Sequence, residues 1–231
     1  MQIAPRGDLR STGRVPSGAG LTHGAVLRLV IGSFVVSIAT VACVFAAGCG
    51  GAETMGAPPA PYAGATLANP ALAPDFALRD QHRQLVRLRH ERGNVVLLTF
   101  LYTHCPDVCP LTAINLNAAL GLVGPSRKEV SVLAVTVDPQ GDTPTAVASF
   151  VRSHHLRRQF HYLTGSPPAL RRIWSAYQVK AVRQGKDAGV DHTLYTLGID
   201  RQGVARVVFD ATAQPGVIAH DLGLLLRVSG E

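Results

Sequence analysis

Residues 95–110 read VVLLTFLYTHCPDVCP, and this stretch determines the class of fold. Its first part, Val95–Tyr102, is a continuous run of apolar, β-branched and aromatic residues, which is typical of a strand buried on both faces. Cys105 and Cys109 follow directly, and apolar residues then recur at helical spacing through Leu111–Val123. The stretch therefore predicts a strand, a turn with two thiols and a helix, which together begin an α/β unit.

The same alternation of strands and helices continues on both sides of this stretch. Strands are predicted at Phe76–Leu78, Leu85–Leu88, Val130–Val137, Phe160–Leu163, Thr193–Ile199 and Val204–Phe209, and helices from Pro144 onward, at Pro167–Tyr177 and at Pro215–Val228. A short polar stretch separates the first two strands, which indicates a hairpin. Short connections between the elements favour a central, mostly parallel or mixed sheet flanked by helices. We expect one α/β domain over residues 74–231, with an N-terminal hairpin.

The N-terminus predicts attachment to a membrane. Residues 1–28 carry four arginines and one aspartate, and Leu29–Ala47 is a run of 19 residues without a charge. This length fits a membrane-spanning helix or the apolar part of a signal peptide. The run ends in Ala46-Ala47-Gly48-Cys49-Gly50, which resembles the cleavage site of bacterial lipoproteins, with Cys49 as the lipidated residue. Segment 29–49 is therefore either a lipoprotein signal or an uncleaved membrane anchor.

The charge distribution predicts the compartment. Basic residues precede the apolar run, so the positive-inside rule keeps residues 1–28 cytoplasmic and places the domain on the outer face of the cytoplasmic membrane, where thiols are readily oxidised. Residues 50–73, rich in Gly, Ala and Pro, are predicted to be a flexible linker. The net charge of +7 includes no Lys/Arg block, so nucleic-acid binding is not expected.

Cys105 and Cys109 carry the chemistry of the domain. At positions i and i+4 near the start of a helix, they lie on one helical face. The helix N-terminus stabilises a thiolate, which is both the nucleophile and the metal-binding form. Such a pair can form a disulfide bond or bind a soft metal ion. If an imidazole is added as a third ligand, the site suits copper or zinc. Two cysteines are too few to hold a typical iron–sulfur cluster. The alternative is a pair of cysteines that is only packed or disulfide-bonded.

A third metal ligand must come from another part of the chain, and nine histidines compete for that role. His192 is favoured because Asp191-His192-Thr193 directly precedes an apolar strand, at a loop that the sheet can bring beside the cysteines. His104 and Asp107 adjoin the cysteines and are weaker candidates. His220 falls within the last predicted helix, where it is expected to be an ordinary packed or exposed residue.

Several separate motifs together resemble one known family. They are Phe100 followed by Tyr102-Thr103-His104-Cys105-Pro106-Asp107-Val108-Cys109-Pro110, Thr136-Val137-Asp138-Pro139 with Asp142-Thr143-Pro144, Leu163-Thr164-Gly165, and Asp191-His192-Thr193. In this order they are similar to the Sco/SenC family, and the match extends from about Pro74 to Val228. The resemblance implies a membrane-tethered, thioredoxin-like copper protein that is associated with assembly of the dinuclear copper centre of cytochrome c oxidase.

The resemblance also implies the residues of the site. Cys105 and Cys109 would be the thiolate ligands, and His192 the imidazole ligand, of one copper ion. Asp191 or Asp138 would orient His192 as a hydrogen-bond acceptor, since ligand imidazoles usually donate their second N–H. Asp138 could equally be an ordinary turn residue.

Three functional classes follow. The first is a metallochaperone rather than an enzyme, which delivers copper to the copper-bearing subunit of cytochrome c oxidase or to another copper carrier. The second is a thiol–disulfide oxidoreductase that keeps the partner's metal-binding cysteines reduced, with Cys105 and Cys109 as its redox pair. The third is a peroxidase, because Val108-Cys109-Pro110 is also similar to peroxiredoxins, although that family has Thr or Ser where Pro106 stands. Zinc is less favoured than copper, although two Cys and one His also suit catalytic zinc.

Overall fold

The structure is a computed structural model that describes residues 62–184 and 189–228. The predictions for residues 1–28, for segment 29–49 with Cys49, and for linker residues 50–61 lie outside the described residues. Within the described ranges, no helix is both long enough and apolar enough to span a bilayer.

Ten strands and four α-helices make up the described part of the chain. The strands are β1 (Ala65–Leu72), β2 (Ala77–Arg79), β3 (Leu85–Arg87), β4 (Val95–Leu101), β5 (Val130–Thr136), β6 (Phe160–Leu163), β7 (Ala181–Arg183), β8 (Val190–His192), β9 (Thr196–Ile199) and β10 (Val204–Phe209). The helices are α1 (Val108–Leu122), α2 (Pro144–Ser153), α3 (Pro167–Ala176) and α4 (Pro215–Arg227). The predicted N-terminal hairpin is confirmed, because β2 and β3 pair antiparallel.

Six strands form one mixed sheet in the order β1-β10-β9-β4-β5-β6. β4 pairs with β5, and β5 with β6, in parallel, whereas β9, β10 and β1 follow on the other side of β4 in antiparallel pairs. Every residue of β4 and β5 is buried, which explains why both strands are apolar almost throughout. The mixed form of the predicted sheet is confirmed, and its parallel part is confined to three strands.

The parallel strands β4, β5 and β6 end at the same edge of the sheet. Leu101 at the end of β4 is opposite Thr136 at the end of β5, and Leu163 ends β6 beside them. Three of the four sequence motifs lie at the ends of these strands and in the loops that follow them, whereas Asp191-His192-Thr193 lies at the end of β8. Because the carboxyl ends of parallel strands meet at one edge, these loops are neighbours in space although they are distant in sequence.

Helices cover both faces of the sheet. α1 packs against α4, and Leu225 of α4 lies against Gly198 of β9, which is paired with Leu97 of β4. Phe100 points to the opposite face of β4, where its ring centroid lies 5.9 Å from that of Tyr177 at the end of α3. The core therefore consists of two layers of side chains, one on each side of the sheet.

The buried side of α1 differs from the predicted apolar stripe. The buried positions begin at Cys109 and recur every three or four residues through Ala113 and Leu116. Leu111 and Ile114, which the predicted stripe includes, are 41% and 46% exposed. The helix begins at Val108, earlier than predicted, and Cys109 shares its buried face with Leu116, Ala119 and Leu120 of the predicted stripe.

Strand β1 lies within the predicted linker, and the linker prediction is wrong for these residues. β1 pairs antiparallel with β10, from Ala65 opposite Val208 to Leu72 opposite Val204. Most of its side chains are exposed, so backbone hydrogen bonds rather than apolar burial hold the strand. A linker prediction based on composition does not detect such bonds. The domain therefore begins before residue 74.

The buried carboxylate of Asp221 in α4 holds the chain just before β1. The backbone N–H groups of Ala63 and Gly64 each donate to one of its oxygens at 2.8 Å. Asp221 is fully buried, so water cannot solvate its charge and these donors take the place of water. The contact adds a specific tertiary restraint to the backbone pairing of β1.

The β7–β8 hairpin is a second difference from the predicted fold. Ala181 pairs with His192, and Arg183 with Val190, in a sheet of two strands that is separate from the central sheet. The apolar strand predicted from Thr193 begins only with β9. Strands of three residues are too short for alternation of apolar and polar residues to be recognised. His192 therefore ends β8 and does not precede a strand of the central sheet directly.

Truncation of the chain before Pro74 tests the role of β1. Compared with a chain that begins at Tyr62, we expect the free energy of unfolding to fall by at least ~2 kcal/mol, because the buried Asp221 carboxylate loses two amide donors. Urea unfolding followed by circular dichroism measures the difference. Identical unfolding midpoints for the two chains would contradict a structural role for β1.

Candidate metal centre

The two thiols are positioned by the loop between β4 and α1. Cys105 lies in this loop and is half-buried, whereas Cys109 lies in the first turn of α1 and is fully buried. The backbone N–H of Cys109 donates to the sulfur of Cys105 at 3.3 Å. N–H groups in the first turn of a helix have no acceptor within the helix, so this donor is available to the sulfur. Both cysteines are free thiols in this structure.

Hydrogen bonds shift the pKa values of the two thiols in opposite directions. The pKa of Cys105 is lowered to about 5, chiefly because the Cys109 thiol donates to it, and burial opposes this shift. The backbone N–H groups of Asp107 and Cys109 and the hydroxyl of Tyr102 lower the pKa of Cys105 further. The pKa of Cys109 is raised, because the same thiol–thiol hydrogen bond and burial favour its protonated form. At neutral pH the pair therefore consists of a Cys105 thiolate and a Cys109 thiol.

His192 reaches the thiols from the β7–β8 hairpin. Its Nε2 atom lies 3.9 Å from the sulfur of Cys109, and its ring packs edge-to-face on Tyr102 with centroids 5.8 Å apart. The Nδ1 atom lies 3.0 Å from the carbonyl oxygen of Thr193, which can only accept, so Nδ1 carries the proton and Nε2 presents its lone pair. Burial lowers the pKa of His192, which favours the neutral ring that binds metals.

These side chains suit a soft metal ion in donor chemistry and nearly in distance. A sulfur and an imidazole nitrogen that bind one ion at bond lengths of about 2.3 and 2.0 Å, with an angle of about 120°, stand about 3.7 Å apart. The separation between Cys109 and His192 is 3.9 Å. In the described part of the chain, no three His, Cys, Asp or Glu side chains are grouped closely enough to hold an ion. Metal binding would therefore draw the thiols and the imidazole closer together.

Neither predicted carboxylate orients His192, and this prediction is wrong in the structure. Asp138 is buried and pairs with the guanidinium of Arg183. Asp191 is exposed and accepts a hydrogen bond from the side-chain amide of Gln184, which directly follows β7. The carbonyl of Thr193 accepts the imidazole N–H instead. Sequence reasoning expects a carboxylate in this role, but a backbone carbonyl performs it equally well and is present at every residue.

The weaker ligand candidates have other surroundings. His104 is exposed, and its Nδ1 atom lies 3.1 Å from the Thr103 hydroxyl. The side chain of Asp107 is exposed, and the residue affects Cys105 through its backbone N–H. His220 lies in α4, where its Nδ1 atom is 2.9 Å from the carboxylate of the adjacent aspartate. None of these side chains shares the Cys109–His192 contact.

Asp142 is a residue of the site that sequence reasoning missed. One oxygen of its buried carboxylate accepts from the N–H and the hydroxyl of Thr103, at 2.8 and 2.7 Å, and the other accepts from the hydroxyls of Thr136 and Tyr162. Thr103 lies two residues before Cys105, so Asp142 ties the cysteine loop to β5 and β6. In the sequence, Asp142 precedes Thr-Pro and indicates only a turn before a helix. Its partner Thr103 is 39 positions away, and no local pattern reveals that contact.

Comparison with known protein sequences places the chain among relatives of one family. A family model described as SCO1/SenC matches residues 64–227. An SCO2-like protein of Rickettsia conorii is 27% identical over 140 residues, which cover 58% of this chain and 67% of that protein. The mitochondrial SCO2 homologue of Bos taurus is 37% identical over 121 residues, covering 51% of this chain and 44% of that protein. The matched region thus spans less than half of the bovine relative.

Solved structures show the same fold. ScoI of Bradyrhizobium japonicum, solved with copper bound, is 30% identical with a TM-score of 0.61, and the match covers 68% of this chain and 100% of that one. Apo Sco1 of Thermus thermophilus is 33% identical with a TM-score of 0.62, covering 72% of this chain and 98% of that one. The predicted thioredoxin-like α/β fold is confirmed. Since the family model extends over nearly the whole described domain, this protein belongs to the SCO1/SenC family.

Proposed function

We propose that this protein binds one copper ion through Cys105, Cys109 and His192 and delivers it to the copper-bearing subunit of cytochrome c oxidase or to another copper carrier. The observation that carries the proposal is the 3.9 Å contact between the Cys109 sulfur and the His192 Nε2 atom, which are 83 positions apart in the chain. Copper is the cargo in this proposal. The relative from Bradyrhizobium japonicum, solved with copper bound, supports the choice of metal.

The donor set favours copper on chemical grounds. Thiolates select soft ions such as Cu(I), and an imidazole is a good ligand for copper in either common oxidation state. Zinc accepts the same donors, so it is the competing ion for this site. Three protein ligands leave a coordination position open. An incoming thiolate of the partner can occupy that position before the first protein ligand is released.

The different protonation states of the two thiols suggest an order in which they bind and release the copper ion. Cys105 is half-buried and already a thiolate at neutral pH, so it can meet an incoming ion first. Cys109 is buried and protonated, so it must release a proton when the ion binds. In delivery Cys105 again changes first, because it is the more accessible ligand: a partner thiolate replaces it, while Cys109 and His192 retain the ion until transfer is complete.

The proposed location follows from the N-terminal sequence. Residues 1–28 are basic, and Leu29–Ala47 is long enough to act as a signal or a membrane anchor. We place the domain on the outer face of the cytoplasmic membrane, attached either through a lipid on Cys49 or through the uncleaved helix. This position puts the metal centre where membrane-bound copper acceptors are accessible.

The substitution His192→Ala tests the ligand assignment. We expect the dissociation constant for copper to rise by more than ~100-fold, which exceeds the ~10–100-fold effect of losing a contact that only supports a ligand. Dithiol oxidation should remain largely intact, because both cysteines are retained. Competition with a chelator of known affinity measures the constant, and His104→Ala is the matched control for loss of an exposed imidazole next to Cys105. Equal copper affinity of the parent and His192→Ala would refute the assignment.

A second candidate function, thiol–disulfide oxidoreductase, is supported by the half-buried Cys105 thiolate beside the Cys109 thiol. The Cys105 thiolate would attack a disulfide of the partner protein, forming a mixed disulfide and releasing one partner thiolate. Cys109, after losing its proton, would then attack the Cys105 sulfur and release the second partner thiolate. Two electrons pass from the cysteine pair to the partner disulfide, and a Cys105–Cys109 disulfide remains.

The reactivity of Cys105 with pH tests this thiol assignment. Because only the thiolate is alkylated, the rate of modification of Cys105 by iodoacetamide should fall as the pH drops through about 5, whereas Cys109 should stay unmodified at neutral pH. Mass spectrometry of peptides from the metal-free, reduced protein locates the modification. A midpoint near 8.5, the ordinary value for a free cysteine, would contradict the predicted hydrogen bonding of Cys105.

A further inference from the structure

The β7–β8 hairpin, here named the histidine hairpin, carries His192 but is not part of the central sheet. His192 is paired with Ala181, and the N–H of Thr193 donates to the carbonyl oxygen of Lys180 at 3.0 Å. These bonds hold the two strands to each other. They do not fix the hairpin relative to the cysteines, so its position depends on contacts with the rest of the domain.

Two kinds of contact attach the histidine hairpin to the domain. The first is packing around Tyr102 and Val190: Val190 is buried in the core, its backbone is hydrogen-bonded to the Tyr102 hydroxyl, and the Tyr102 ring packs against His192. Apolar contacts are attractive but have little directional preference. The second kind is the ion pair between Arg183 and Asp138, which is the one ion pair that the hairpin makes in the part of the chain that the structure describes.

Asp138 provides a fixed anchor for this ion pair. Its side chain is 6% exposed, and its carboxylate also accepts from the N–H of Gly141 at 3.0 Å. Its own N–H donates to the hydroxyl of Thr136 at 3.0 Å, and Thr136 is the last residue of the buried strand β5. The guanidinium of Arg183 therefore connects the histidine hairpin to the same sheet edge that holds the cysteine loop.

We propose that the Arg183–Asp138 ion pair is a latch that positions His192 opposite Cys109, which makes Arg183 a positioning residue of the metal centre. The inference rests on the proposed copper site. With the latch closed, the Nε2 atom stands 3.9 Å from the Cys109 sulfur. With the latch open, the hairpin adopts other positions, and the apparent dissociation constant for copper rises in inverse proportion to the fraction of molecules in which His192 stays in place.

Burial distinguishes this ion pair from those at the surface. Exposed ion pairs contribute little to stability because water screens them. The Arg183 side chain is 32% exposed but that of Asp138 is only 6% exposed, so removal of the guanidinium leaves a buried charge without its countercharge. Asp138 then recruits water in place of Arg183, and the histidine hairpin loses its ion pair with the sheet edge.

The substitution Arg183→Gln tests the latch because it removes the charge and keeps most of the side-chain length. We expect the dissociation constant for copper to rise by ~10-fold, at the low end of the range for contacts that support a metal ligand. Arg183→Lys restores the charge and should recover most of the affinity. The matched control Arg89→Gln removes the exposed ion pair with Asp75 and should bind copper as the parent does. Equal affinity of Arg183→Gln and the parent overturns the proposal.

Backbone amide hydrogen exchange gives a second readout that needs no copper. In the full-length protein, Arg183→Gln should accelerate exchange in Val190–His192 by ~5-fold or more while exchange in β4 stays unchanged, because only the hairpin is released. Arg89→Gln should leave both regions unchanged. If the parent protein fails to bind copper, the proposed function is wrong, but the exchange data still test the latch. Unchanged exchange in β8 of Arg183→Gln overturns the latch proposal.

Discussion

The geometry of the site depends on the hydrogen bonds that the buried carboxylate of Asp142 accepts. Its two oxygens accept four hydrogen bonds, two from Thr103, one from Thr136 and one from Tyr162. These donors belong to the cysteine loop, to the end of β5 and to β6, so one side chain joins three neighbouring segments at the sheet edge. A buried charge requires such donors, and the N–H and hydroxyl of Thr103 both lose their acceptor if the cysteine loop moves. The position of Cys105 is therefore fixed by the same bonds that satisfy Asp142.

The ligands that we propose for copper belong to two parts of the molecule with different restraints. The thiols lie on the loop and helix that follow a fully buried strand, whereas His192 lies on a separate two-stranded hairpin. An ion that is to be delivered must be held and then released. A site with all ligands in one rigid element would oppose release, since ligand exchange requires ligands to move apart. Because the hairpin is separate from the central sheet, the imidazole can approach or leave without breaking the strand pairing of that sheet.

Much of the fold could be predicted, because the central strands are buried on both faces and their apolar runs are local signals. β1 could not, since its exposed residues are held by backbone bonds that leave no trace in composition, and the strands of the histidine hairpin are too short to show a pattern. For the site, the sequence allowed Cys105, Cys109 and His192 to be predicted as metal ligands. It did not identify the carbonyl of Thr193 or the role of Asp142, because these depend on orientation and on partners that are distant in the chain.

X-ray absorption spectroscopy at the copper edge, on the copper-loaded full-length protein, tests the central claim most directly. We predict two sulfur neighbours and one imidazole nitrogen neighbour around the ion, with the imidazole scattering lost in His192→Ala and one sulfur lost in Cys105→Ala. A copper environment that contains no sulfur, or one that is unchanged by loss of His192, would contradict the account.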